Sequence, residues 1–188
     1  AISYAQFRDE SLRIAAFLQS ECAVGAGDRV LLCMQNSPQF GMAYYAIARI
    51  GAVVVPVNPT SRTAELAHYA ADSGAQVAIV SQEALAHVRD LMRTGALRHG
   101  VVGCYGDWVR TPTDLALPDV VAAAPLAEPP AGFTAWREAA RCGAPLHAVA
   151  VGMDDLCVMP YTSGTTGHPK GCMHSHRAVM FTASAGMT

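Results

Sequence analysis

Four short, largely apolar runs, at residues 30–34, 52–57, 76–80 and 101–105, constrain this chain more than any other feature of it. None of them alternates apolar with polar residues, as a strand with one wet face does. A continuous apolar run of that length reads instead as a strand covered on both faces, the habit of parallel sheets. Helical patterns fill the gaps between the runs. Crossovers that join parallel strands through helices are nearly always right-handed, so the expected fold is α/β, with a doubly wound, mainly parallel sheet flanked by helices.

Local signals punctuate this alternation. Ser3 and Gln6 have the spacing of a capping box, and they open an amphipathic helix running to about residue 21 with Leu12, Ala15, Ala16 and Leu18 as its apolar stripe. Gly25-Ala26-Gly27 precedes a strand rather than following one and lacks a third glycine, so it reads as a turn and not as a dinucleotide fingerprint. Ser37 caps a second helix that has Pro38 at its first position and Gly51 at its end. Residues 63–73 and 82–93 read as further helices. The stretch 106–130, rich in Pro, Ala and Asp, reads as an irregular surface excursion, followed by a short helix at 133–141 and a return to the sheet at 156–161. No internal repeat stands out.

Composition narrows the classes of function. Hydrophobic residues make up 52% and charged residues 15% of the 188, which is apolar for a free-standing domain. A net charge of −2 with no basic stripe gives no footprint for nucleic acid. No apolar run approaches the roughly 20 residues that span a bilayer, and Arg8, Asp9, Glu10 and Arg13 break any signal-peptide pattern. The expected setting is cytoplasmic. The six cysteines are scattered, without a C-x-x-C pair, and read as buried reduced thiols. His174 and His176 share one face if a strand continues through them, but nothing at ligand spacing completes a metal site. His68, His87, His99 and His147 read as isolated surface or satisfied residues.

The chemistry concentrates in Tyr161-Thr162-Ser163-Gly164-Thr165-Thr166-Gly167-His168-Pro169-Lys170-Gly171, which packs four small hydroxyls, three glycines and a lysine into eleven residues. Glycines let backbone N–H groups approach anionic oxygens. Thr162, Ser163, Thr165 and Thr166 add rotatable donors, and Lys170 adds a full charge whose bonds to phosphate are about twice as strong as neutral ones. The segment reads as a phosphate clamp. It is not the common G-x-x-x-x-G-K-[ST] loop, because Pro169 precedes the lysine and turns His168 away from the helical region. Strand-like flanks at 156–159 and 171–174 put it at the tip of a strand–loop–strand unit, with a helix starting near His176. A ligand-free Gly/Thr-rich hairpin is the alternative for such a segment on its own.

These residues resemble the signature of the adenylate-forming superfamily, which includes acyl-CoA and aryl-CoA ligases, luciferases and the adenylation domains of peptide synthetases. Every fixed position of that signature is met between Tyr161 and Gly171, and the following Met173-His174-Ser175-His176-Arg177 is similar to the family's continuation, with His174 where an aliphatic residue is usual. The stretches Gly27-Asp28-Arg29-Val30, Asn36-Ser37-Pro38 and Gly51-Ala52-Val53-Val54-Val55-Pro56-Val57-Asn58-Pro59 are similar to the family as well. The resemblance weakens between 103 and 151.

The resemblance implies an ATP-dependent reaction in two halves. A carboxylate attacks the α-phosphorus to give an acyl-adenylate and pyrophosphate, and a thiol, usually coenzyme A, then displaces AMP. ATP, magnesium and coenzyme A are the implied cofactors and co-substrates, with a small carboxylate as substrate. Lys170 is the implied catalytic residue, and Thr162, Ser163, Gly164, Thr165, Thr166, Gly167 and Lys170 the implied nucleotide contacts. No metal ligand is assigned within the chain. Family enzymes are much longer, so the resemblance implies that residues 1–188 are part of an N-terminal AMP-binding domain, with 161–171 its phosphate-binding loop. The remaining subdomains and the C-terminal domain would lie outside it, and the chain alone would be inactive and prone to self-association through uncovered apolar surface. Gly164-Thr165-Thr166-Gly167 and Asn58-Pro59 resemble the acyl- and aryl-CoA ligase forms more than those of peptide-synthetase domains, which favours a fatty-acid CoA ligase. An aryl-CoA ligase, a peptide-synthetase-type adenylation domain, or a non-catalytic phosphate-binding or interaction module are the alternatives.

Overall fold

A computed structural model describes residues 2–109, 111, 113–162 and 169–186. In chain order the elements are α1 (Tyr4–Ser20), β1 (Arg29–Cys33), α2 (Pro38–Arg49), β2 (Val53–Pro56), α3 (Thr63–Ser73), β3 (Val77–Ser81), α4 (Leu85–Arg93), β4 (His99–Gly103), a 3₁₀ turn (Tyr105–Trp108), α5 (Asp119–Ala122), β5 (Phe133–Ala135), α6 (Trp136–Ala139), β6 (Leu156–Val158), β7 (Tyr161–Thr162), β8 (Lys170–Gly171), β9 (His174–Ser175) and α7 (His176–Ala185).

Seven strands form one sheet in the order β5-β4-β3-β1-β2-β6-β9. Every pairing is parallel except the last, where β9 runs antiparallel to β6. Residue alternation divides the core into two halves. Val30 and Leu32 of β1 face α1 and α2, meeting Ile14, Leu18, Met42 and Ile47. Leu31 and Cys33 face the other way, onto Leu66 and Tyr69 of α3 and Val88 and Leu91 of α4. From β1 the chain steps one way to β2 through α2, then back across β1 to β3 through α3 on the opposite face. Reversing the direction while keeping the crossover hand requires this change of face. The doubly wound, mainly parallel α/β architecture expected from the sequence is the one observed.

The expected caps are present. The Ser3 hydroxyl accepts from the N–H of Gln6 at 3.2 Å while the Gln6 side chain accepts from the N–H of Ser3 at 3.1 Å. Ser37 Oγ accepts from the N–H of Phe40 with Pro38 at the first helical position, and Gly51 leaves the helix with φ +70°. Gly25 and Gly27 form the turn before β1, closed by Asp28, whose carboxylate accepts from the N–H of Gly25 at 2.8 Å.

Two local expectations need correction. The segment at 133–141 is not one helix: Phe133–Ala135 adds a sixth parallel strand beside β4, and only Trp136–Ala139 is helical. The edge of β4 supplies the reason, because Gly100 has no side chain and the Phe133 ring lies in the space a Cβ there would take. Residues 82–84 form a turn rather than the first turn of α4. The side chain of Gln82 is used elsewhere, donating to the carbonyl of Ala124 at 3.0 Å and accepting from the N–H of Leu126 at 2.9 Å, which straps the irregular excursion to the sheet.

In doubly wound sheets, ligands usually enter outside the carboxyl ends of the strands where the winding reverses, here β1 and β3. Tyr105 fills that place. Its hydroxyl accepts from the N–H of Gln35 at 2.7 Å and donates to Glu83 Oε1 at 3.0 Å, and the residue is buried. All six cysteines are free, and Cys22, Cys33, Cys104 and Cys157 are buried, as expected of reduced core thiols.

Gly100→Ala should lower unfolding free energy by about 1–3 kcal/mol, the range for forcing a group into a packed site, measured by urea denaturation; an unchanged midpoint would contradict the β4–β5 contact. The core also predicts alkaline instability. Burial, with Glu21 and Glu83 adding to it, pushes the Cys22 and Cys33 thiols up to about 12 from 9.0. Unfolded thiols release protons above about pH 9 that the folded state retains, so the unfolded state binds fewer protons and stability falls as pH rises towards 12. Urea midpoints taken at pH 7.5 and 10 should show this fall, and Cys22→Ala with Cys33→Ala should reduce it, the remainder coming from Cys157 and the buried tyrosine hydroxyls, which burial also raises.

Candidate phosphate-binding hairpin

The hairpin begins where β6 ends at the free side of β2. Met159 continues the alignment by donating its N–H to the carbonyl of Val54 at 2.8 Å, and β7 then pairs antiparallel with β8. Tyr161 lies opposite Gly171, and Thr162 opposite Lys170. Cross-strand partners share one face of a ladder, so the hydroxyl of Thr162 and the chain of Lys170 project together, and both residues are exposed. Ser163, Gly164, Thr165, Thr166, Gly167 and His168, the remainder of the expected clamp, lie outside the described residues.

Packing explains the foot of the hairpin. A Cβ at Gly171 would stand 3.0 Å from Met159 Sδ and 3.3 Å from Tyr161 Cζ, so this glycine lets the two strands close over buried Met159. The Tyr161 ring lies 4.6 Å, centroid to centroid, from Tyr69 on α3. Its hydroxyl donates to Asp72 Oδ2 at 2.6 Å. Burial first, and the Asp72 carboxylate second, push this hydroxyl well above the ordinary tyrosine range, so it remains a donor.

His68 departs from its reading as an isolated histidine. Its ring lies against Tyr69 and Tyr161, and its Nε2 is 3.0 Å from the carbonyl oxygen of Pro169. A histidine four residues before an aspartate on an amphipathic helix was the available signal, but nothing in the sequence pairs it with a segment a hundred residues away.

Beyond the hairpin, the N–H of Cys172 donates to the carbonyl of Pro160 at 2.8 Å, and Ser175 caps α7. Arg177 grips Asp154 through two bonds of 2.9 and 3.0 Å, which holds that carboxyl below its usual range. His174 and His176 separate into strand and helix. Among the described residues no group of three or more His, Cys, Asp or Glu could hold a metal ion. Two cavities, of about 210 Å³ beside Arg29 and Arg98 and about 100 Å³ beside Gln82 and Trp136, do not include Thr162 or Lys170.

The model of the AMP-binding enzyme family matches residues 1–188. The chain belongs to this family. It is 36% identical over 184 residues to the long-chain-fatty-acid–CoA ligase FadD13 of Mycobacterium tuberculosis, covering 98% of this chain and 31% of that protein. It is also 36% identical over 171 residues to 4-coumarate–CoA ligase 5 of Oryza sativa, covering 90% of this chain and 27% of that one. Among solved structures it is similar to the anthranilate CoA ligase AuaEII in complex with anthranoyl-AMP, with a TM-score of 0.78, 25% identity and coverage of 97% of this chain and 31% of that one. The N-terminal domain of FACL13 from Mycobacterium tuberculosis matches with a TM-score of 0.72 and 27% identity over 99% of this chain and 40% of that one. The chain therefore spans about a third of the length of the curated relatives it matches. As an AMP-binding family member, it carries the sheet and the hairpin foot on α3 within that third. No helix among the described residues is long and apolar enough to cross a membrane.

If the Tyr161–Asp72 bond holds the hairpin down, Tyr161→Phe should speed hydrogen exchange of the Cys172 amide about fivefold, the effect of losing roughly 1 kcal/mol. Exchange measured by mass spectrometry and left at the wild-type rate would assign the anchoring to ring packing alone.

Proposed function

We propose that this chain supplies the phosphate-holding part of an AMP-forming acid–thiol ligase, as part of an N-terminal AMP-binding domain in which 161–171 is the phosphate-binding loop. The observation that carries the proposal is the shared face of Thr162 and Lys170 at the foot of a segment of hydroxyls and glycines, in a chain of the AMP-binding family. In this reading Lys170 neutralises charge on the β and γ phosphates as the carboxylate oxygen bonds to the α-phosphorus and pyrophosphate leaves. Stabilising a developing anion with a fixed charge is the largest single contribution many enzymes make. Thr162, Ser163, Thr165 and Thr166 donate to phosphate oxygens, and Gly164 and Gly167 allow the backbone to approach. A thiol, with coenzyme A as the proposed donor, then attacks the acyl carbon and AMP departs.

A long-chain fatty acid is the proposed substrate, supported by the 36% identity to the mycobacterial long-chain ligase. An aromatic acid is the second reading, supported by the equal identity to the rice 4-coumarate ligase and by the similarity to the anthranilate ligase structure. Magnesium accompanies ATP in the proposal, held mainly by the phosphates themselves, and among the described residues no group of three or more His, Cys, Asp or Glu forms a cage for it. A cytoplasmic setting accords with the six free thiols. Met173, just before β9, and Met180 and Phe181 on α7 are exposed, and the self-association expected of the chain alone rests on that surface.

The test is ATP–pyrophosphate exchange by the full reading frame that carries this chain, with fatty and aromatic acids compared. Lys170→Ala should lower exchange on the order of a hundredfold, as removal of one oxyanion-stabilising group does. Wild-type exchange in that variant would show that Lys170 does not neutralise the leaving pyrophosphate, and the preferred acid decides between the two substrate readings.

A further inference from the structure

Two residues one turn apart on α3 hold the two strands of the hairpin separately. Asp72 accepts from the hydroxyl of Tyr161 on the outgoing strand at 2.6 Å. His68 meets the carbonyl oxygen of Pro169, just before the returning strand, at 3.0 Å. Residues at i and i+4 share a helix face, so one face of α3 spans the foot of the hairpin. A carbonyl oxygen only accepts, so the His68 bond requires its Nε2 to carry the proton. That oxygen belongs to the peptide unit that continues into Lys170. The unit is planar and trans, so fixing its oxygen fixes the directions of the Lys170 N–H and Cα. Pro169 adds stiffness at this point by restricting its own φ.

We propose that His68 is a positioning residue for nucleotide binding, which acts through the Pro169–Lys170 peptide to present Lys170 to the phosphates, with Asp72 fixing the opposite strand. The inference rests on the phosphate-clamp reading above. It differs from a packing role in one respect: the donor on the ring matters, as well as the ring itself. A site group held by a locked supporting residue is presented in one geometry, and binding then loses less to ordering.

The experiment uses the full-length protein and reads MgATP affinity by equilibrium titration, pyrophosphate exchange and the thermal midpoint. His68→Phe keeps a ring against Tyr69 and Tyr161 without the donor, whereas His68→Gln restores a donor without the ring. His68→Phe should weaken MgATP binding and exchange roughly three- to tenfold, the value of one hydrogen bond of about 0.5–1.5 kcal/mol, with its midpoint close to wild type. His68→Gln should recover most of that loss. In a Lys170→Ala background, His68→Phe should have little further effect, because both changes act through one group. Wild-type affinity in His68→Phe, or a loss that adds in full to that of Lys170→Ala, overturns the proposal. His68→Leu is read in the same way should the aromatic variant fail to fold. Wild-type binding and exchange in Lys170→Ala itself overturns the phosphate-clamp reading beneath it, so the two failures are distinct.

Discussion

Burial of the central strand on both faces is the constraint from which the rest of this structure follows. Val30 and Leu32 need one apolar cover and Leu31 and Cys33 another, so no single helical layer satisfies β1. Covering both faces with helices that keep one crossover hand sends the chain out to β2, back across β1 to β3, and onward to β4 and β5. That winding leaves the far side of β2 open for β6. The chain arriving there, with Met159 bonded to Val54, leads into the hairpin that packs over the face covered by α3. The hairpin is thus placed by the hydrophobic architecture, and its polar anchors refine a position already chosen.

The same architecture fills the crevice where doubly wound sheets usually bind ligands. Tyr105 occupies that crevice with its ring buried and its hydroxyl committed to Gln35 and Glu83. Removing the ring would deprive the Gln35 N–H and the Glu83 carboxylate of the hydroxyl they share, a cost comparable with a lost hydrogen bond for each. Thr162 and Lys170 stand in solvent instead on the separate two-stranded ladder of β7 and β8.

What was legible in the sequence is what local physics determines. The apolar runs, the caps at Ser3 and Ser37, the turn at Gly25 and Gly27 and the composition of 161–171 each depend on neighbours a few residues away. The strand at Phe133 was not legible, because its β character comes from the bare edge of Gly100, and propensity alone favoured extending the helix that begins at Trp136. His68 was not legible either. Its partner lies 101 residues along the chain, and a contact of that range has no signature in either segment.

The proposed division between holding phosphates and choosing an acid accords with the same geometry. Phosphates need backbone approach, donors and a charge, all of which one hairpin can present from an exposed edge. An acyl chain needs a concave apolar site, commonly of about 300 Å³ or more, lined from several directions. The two cavities noted above among the described residues, of about 210 and 100 Å³, are smaller than this, and Thr162 and Lys170 line neither of them. The equal identities to a long-chain and a 4-coumarate ligase accord with this, since relatives that differ in their named acid share this third of the chain to the same degree. The task proposed for such a segment is to hold the leaving group, and a hairpin fixed to α3 at both strands suits that task whichever acid attacks.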